Sequence, residues 1–186
     1  MLGVYTQLGF EHILDPKGYD HILFVVALCA IYLLKDWRKV LILVTAFTIG
    51  HSLTLAMSSL DVITISASLV ETLIPVTIML TCVYNITKKS MSKEKNYINY
   101  LLALGFGFIH GLGFSNYFKA LADEEESIVA PLFYFNVGVE IGQVIIVILT
   151  LLLSYLLVNI CKVKQRYYNY FLSGIILLWA LKMIFE

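Results

Sequence analysis

Four histidines are the residues of this chain that packing explains least well. His51 lies in FTIGHSLTL (47–55), flanked by Thr48, Ser52 and Thr54, and His110 lies in FGFIHGLGFS (106–115). His21 follows Asp20 at the head of another apolar run, and His12 stands in GFEHILDP (9–16). Two acids, Glu71 and Glu140, also interrupt apolar stretches. An ionisable group in hydrocarbon is costly and is by default a sign of function. Imidazole with carboxylate is the ligand set that suits Zn, Ni, Co, Fe or Cu rather than Mg or Ca. Asp20 beside His21, and Ser52 with Thr48 beside His51, offer the outer partners that fix an imidazole tautomer. Plainer readings exist for each group taken singly. A lone intramembrane histidine can hydrogen-bond a neighbouring helix, Asn136, Glu140 and Gln143 can form a polar clasp, and Asp20 can cap a helix.

The elements that must position these residues are membrane helices. The chain has 186 residues, 60 % of them hydrophobic and 14 % charged, with a mean hydropathy of +0.85. Several apolar stretches exceed the roughly 18 residues that mark a transmembrane helix. A soluble domain of this size needs far more polar surface. The expected architecture is an all-α, polytopic bundle forming one transmembrane domain over residues 1–186. About six spans are predicted, near 20–34, 38–59, 66–86, 97–118, 129–160 and 167–185. The fifth is too long to stand upright and must tilt or project. Ahead of them, residues 3–14 are apolar but too short to span, and Asp15-Pro16-Lys17-Gly18 breaks any helix. That segment is expected in the outer interface, or dipping in and returning.

The net charge of zero conceals an asymmetry. KDWRK (35–39), KKSMSKEK (88–95) and KVKQR (162–166) hold ten of the thirteen Lys and Arg residues. The positive-inside rule makes those loops cytoplasmic and both termini extracytoplasmic, with a bacterial inner membrane as the expected location. No basic segment followed by a small-residue cleavage site opens the sequence, so no cleavable signal is expected. DEEES (123–127) would face outward, as a solvated turn or a cation-attracting vestibule. Cys29, Cys82 and Cys161 are isolated from one another, which suggests neither a disulfide framework nor a thiolate metal site. Asn85-Ile86-Thr87 matches a glycosylation pattern on the wrong side. No nucleic-acid partner is expected; a metal ion or a membrane-embedded small substrate is.

Depth unites the polar groups. At about 1.5 Å per helical residue, His51 lies about 20 Å beyond Arg38, and His110 lies at a similar distance along its own span. Asp20 and His21 open the first span, Glu71 lies about a turn into the third, and Glu140 two to three turns into the fifth. All fall in the outer half, which the scattered structural readings do not explain. Gly105, Gly107, Gly111 and Gly113 surround His110, and such small residues let neighbouring helices approach closely. The inner half offers only Thr45, Thr77, Thr81 and Asn85.

In order, GFEHILDPKGYDHILF, FTIGHSLTL, Glu71, FGFIHGLGFS and FNVGVEIGQ resemble the HupE/UreJ family of small membrane proteins, over about residues 9–143. The resemblance implies a secondary nickel or cobalt permease. It implies metal contacts from His12, Asp20, His21, His51 and His110, with Glu71 and Glu140 as supporting acids; Glu140 also counts among the candidate ligands. A HAVDADHI-type block is absent.

A reading from another class fits the one-sided polarity. His21, His51 and His110 could hold Zn with its fourth position open to water, whose pKa the metal lowers towards about 7. Asp20, Glu71 or Glu140 would then act as base, and Ser52 would orient an oxyanion or the ligands. In residue types this looks like ceramidase or adiponectin-receptor hydrolases, with a lipid or membrane-anchored amide or ester as substrate.

Overall fold

The computed structural model describes residues 2–88, 97–122 and 127–185. The expectations for KKSMSKEK and DEEES therefore fall almost wholly outside the described residues. Among these, every regular element is helical: α1 (Leu2–Leu14), α2 (Asp20–Cys29), a short 3₁₀ turn (Leu34–Asp36), α3 (Trp37–Ser59), α4 (Ala67–Thr87), α5 (Tyr97–Gly113), α6 (Ser115–Ala122), α7 (Val129–Ser154) and α8 (Gln165–Phe185). Helix α7 runs on through a wider π-type segment, Tyr155–Ile160.

Among the described residues, four helical stretches are long and apolar enough to cross a membrane: Leu34–Ser59, Ala67–Thr87, Val129–Ile160 and Gln165–Phe185. The other two predicted spans are shorter than expected. Helix α2 covers only ten residues, about 15 Å at the helical rise, or half a hydrocarbon core. Helix α5 ends at Gly113, and the chain restarts after Phe114 as the eight-residue α6.

Where helix α2 stops, distant side chains bond carbonyls in its last turn and just beyond it. Asn85 Nδ2 of α4 donates to Ala27 O (2.7 Å), and Gln165 Nε2 of α8 donates to Ile31 O (3.0 Å). Asn169 Nδ2 donates in turn to Asn85 O (2.7 Å), and Ser173 Oγ to Asn169 Oδ1 (3.0 Å). Irregular backbone survives at membrane depth only where protein satisfies it in this way. Asn85→Leu should therefore lower stability by about 0.5–1.5 kcal/mol, the net worth of one hydrogen bond, because the Ala30 amide still reaches the Ala27 carbonyl (3.2 Å). A thermal midpoint in detergent equal to that of the native chain would show that the Asn85 bond contributes nothing at this helix end.

Two close helix crossings set the frame. In the α3–α5 crossing, a Cβ at Gly107 would fall on the Phe47 carbonyl, one at Gly111 on the His51 carbonyl, and one at Gly50 on the Leu104 carbonyl. In the α1–α7 crossing, Gly9 meets the Phe135 carbonyl and Gly138 the Thr6 carbonyl in the same manner. Small residues allow this backbone approach where lipid supplies no hydrophobic drive between helices. Helix α1 is thus packed along α7, with Ile13 fully buried against Gly142. The interfacial expectation for residues 3–14 did not foresee that contact.

Candidate metal centre

The two crossings bring four imidazoles together. His12 sits in the last turn of α1 and His21 in the first turn of α2, on either side of the Asp15–Gly18 break. His51 lies in the interior of α3, and His110 in the last turn of α5. Ring centroids are 4.5 Å apart for His12–His21, 5.2 Å for His21–His110, and 5.9 Å for both His12–His51 and His21–His51. His21, His51 and His110 are buried, while His12 and Asp20 are half-buried.

Two sets of potential ligands result, sharing His21. One atom each from His12, His21 and His51 lie within 4.8 Å of one another, as do atoms of Asp20, His21 and His110. Tetrahedral Zn, with ligand distances of about 2.0–2.1 Å, holds its ligand atoms about 3.3 Å apart. Side-chain shifts of about an ångström would close either set to that spacing.

Hydrogen bonding fixes which nitrogens are free. Thr77 Oγ1 donates to Ile74 O (2.7 Å), so its contact with His110 Nε2 (3.3 Å) makes that ring nitrogen the donor. His110 Nδ1 then carries the lone pair, and it is buried without a hydrogen-bond partner. His21 Nδ1 faces Asp20 Oδ1 at 3.2 Å, and donation to that carboxylate leaves Nε2 bare. His21 Nε2 is likewise buried without a partner, as are His12 Nε2 and both ring nitrogens of His51. An unpaired buried polar atom costs about 1–3 kcal/mol. Several at one point are strong reason for a bound cation. The donor set, imidazole with one carboxylate, fits a divalent transition metal. Asp20 can act either as a ligand or as the partner that orients His21.

Aromatic rings enclose the cluster on several sides. Phe114 packs 4.1 Å from His12 and Phe135 5.6 Å from it, centroid to centroid. Phe24 and Phe47 lie 5.1 and 5.2 Å from His110, pack 4.9 Å from each other, and are fully buried. Phe106 adds to this layer, 5.7 Å from Phe24. A cleft of about 160 Å³ reaches His12, His21 and His110, and exposed Asp15 and Glu71 line it as well.

The remaining candidates belong to neither set. The oxygens of Glu140 accept from Thr45 Oγ1 (2.6 Å) and Thr48 Oγ1 (2.7 Å), and Thr48 Oγ1 also lies 2.8 Å from Gln143 Oε1. This α3–α7 contact is the polar clasp that the sequence left open, without Asn136, whose Nδ2 donates to Leu132 O. Ser52 Oγ donates back to Thr48 O (2.6 Å) and so is turned along its own helix. Glu71 is exposed and lines the cleft that reaches His12, His21 and His110. Thr77 was not singled out for the site from sequence. It falls two residues beyond Pro75, and no periodic pattern marks it as a histidine partner. The enclosing phenylalanines were visible in the motifs, but they read as ordinary apolar filling.

Membrane-length helices around a buried cluster of imidazoles and a carboxylate define an integral membrane protein with groups able to hold a metal ion. The family model described as HupE / UreJ protein matches residues 1–185, and the chain belongs to that family. Membership fits a metal transporter in general terms. No curated protein and no solved structure matches the chain.

Proposed function

We propose that the protein is a divalent transition-metal permease of the nickel/cobalt type, with the histidine cluster as its recognition site. The observation that carries this reading is the convergence of bare imidazole nitrogens from α1, α2, α3 and α5. In this reading the ion arrives through the cleft past Asp15 and Glu71, whose charges raise its local concentration. It exchanges water for the nitrogens of His12, His21, His51 and His110, with Asp20 as a further ligand or as the orienting partner of His21. By the basic-loop argument the cleft faces the extracytoplasmic side. Passage then requires the Phe24, Phe47 and Phe106 layer to part, because a bare ion cannot cross apolar side chains without prohibitive desolvation. The break between α1 and α2 and the proline within α4 (Pro75) are suitable points of movement, since discontinuous helices commonly frame transporter sites.

The same phenylalanine layer favours a second reading, a Zn-dependent intramembrane hydrolase reached from one side only. There His21, His51 and His110 hold Zn, Asp20 serves as base, and the substrate is a lipid or a membrane-anchored amide or ester.

Metal uptake by proteoliposomes separates the two. The permease gives saturable accumulation of nickel, cobalt or zinc inside the vesicles, abolished by His51→Ala. Tightly held metal without accumulation, stripped by a chelator confined to one face, would overturn the permease in favour of the hydrolase.

A further inference from the structure

On the far side of the phenylalanine layer lies a second cavity, of about 230 Å³, that the metal chemistry does not use. Phe106 borders it and packs on Phe24, which in turn touches His110. The deep end is formed by Leu28 of α2 and Leu43 of α3, both buried. The strongly exposed members of its wall are Leu80 of α4 (55 %) and Leu102 of α5 (38 %). The cavity therefore opens sideways, between α4 and α5, where those two leucines face acyl chains.

The polar groups around the cavity are already engaged. Tyr84 Oη donates to Asn99 Oδ1 (2.9 Å), and Asn99 Nδ2 donates to Tyr32 Oη (2.9 Å). Thr81 Oγ1 donates to Thr77 O (2.9 Å), and Asn85 Nδ2 is held by Ala27 O. Little remains to attract water or a cation. An apolar cavity of about 150 Å³ stays dry and takes up hydrocarbon, and this one is larger. Beside Tyr84 of the cavity wall, Lys88 Nζ donates to Tyr84 Oη (3.1 Å) and lies 5.1 Å above the Tyr84 ring. An ammonium at the edge of a hydrocarbon slot complements a lipid phosphate.

We propose that this cavity holds one acyl chain of a phospholipid, inserted between α4 and α5 from the leaflet nearest the basic loops, with its phosphate at Lys88. The chain would lie directly against the layer that closes the histidine cluster.

The test uses the full chain in vesicles of phosphatidylethanolamine and phosphatidylglycerol containing a trace of phospholipid with a mid-chain diazirine. After irradiation, adducts are mapped by mass spectrometry. The expected adducts fall on Leu28, Leu43 and Phe106; the two leucines are out of reach of surrounding lipid. Leu80→Trp with Leu102→Trp should reduce labelling at those positions about tenfold by filling the mouth. Both residues are exposed, so the pair should fold. Lys88→Gln should reduce labelling by the phospholipid but leave that by a diazirine diacylglycerol, which has no anionic head, unchanged. Adducts confined to outward-facing positions such as Leu101 and Leu149 would overturn the proposal. So would interior labelling by the diacylglycerol alone.

Discussion

Leucine at His51 should abolish tight divalent-metal binding and at the same time leave the metal-free protein as stable as before, or more stable. Binding should fall by more than about 100-fold, since even partners that only orient a ligand cost 10–100-fold when removed. Stability should move the other way because His51 is fully buried and neither ring nitrogen has a hydrogen-bond partner. Replacing such a group with an apolar one of similar size removes a desolvation penalty and breaks no bond. Titration calorimetry and the thermal midpoint of the metal-free protein in detergent read the two effects separately. A structural histidine would behave oppositely. A His51→Leu protein that melts well below the native one while still binding metal would sink the assignment.

Leucine at Gly111 should empty the site without touching a ligand. A Cβ there already collides with the His51 carbonyl and the Thr54 hydroxyl, and the first of these is backbone that cannot turn aside. A leucine must therefore push α5 off α3 and carry His110 away from His21. Overpacking of a tight contact costs about 1–3 kcal/mol and at times more, and loss of the crossing belongs at the upper end. Gly105→Ala is the matched control, because nothing lies within 4 Å of its added carbon. Metal content and thermal midpoint should drop together in Gly111→Leu and stay native in Gly105→Ala. Full metal content in a well-folded Gly111→Leu protein would show that the site does not depend on this crossing.

The two glycines show where the limits of the sequence lie. All four glycines around His110 look alike in a string of letters. Only the crossing angle of α3 and α5 makes Gly107 and Gly111 indispensable for approach, while Gly105 faces open space. The same distinction runs through the candidate ligands. Residue type and depth named His12, Asp20, His21, His51 and His110, because histidines are few and an apolar chain gives them no other reason to share a level. Type, depth and the FNVGVEIGQ motif also named Glu140, and only the tertiary structure shows its oxygens accepting from Thr45 and Thr48.

What the sequence determined by itself is the helical membrane class, the family, and the kinds of side chain available for binding. These follow from hydropathy, periodicity and local motifs, which act over one helix at a time. What only the tertiary structure decided is contact between distant helices. Where helix α2 ends after ten residues, Asn85 and Gln165, 58 and 134 positions away from their acceptors, bond the Ala27 carbonyl of its last turn and the Ile31 carbonyl just beyond it. His110 presents Nδ1 because Thr77 holds its other nitrogen. Two possible ligand sets share His21 because α1 and α2 meet at a break rather than continue as one helix. Each outcome depends on a hydrogen bond or a steric contact between helices, and the period of a single helix carries no record of its partner.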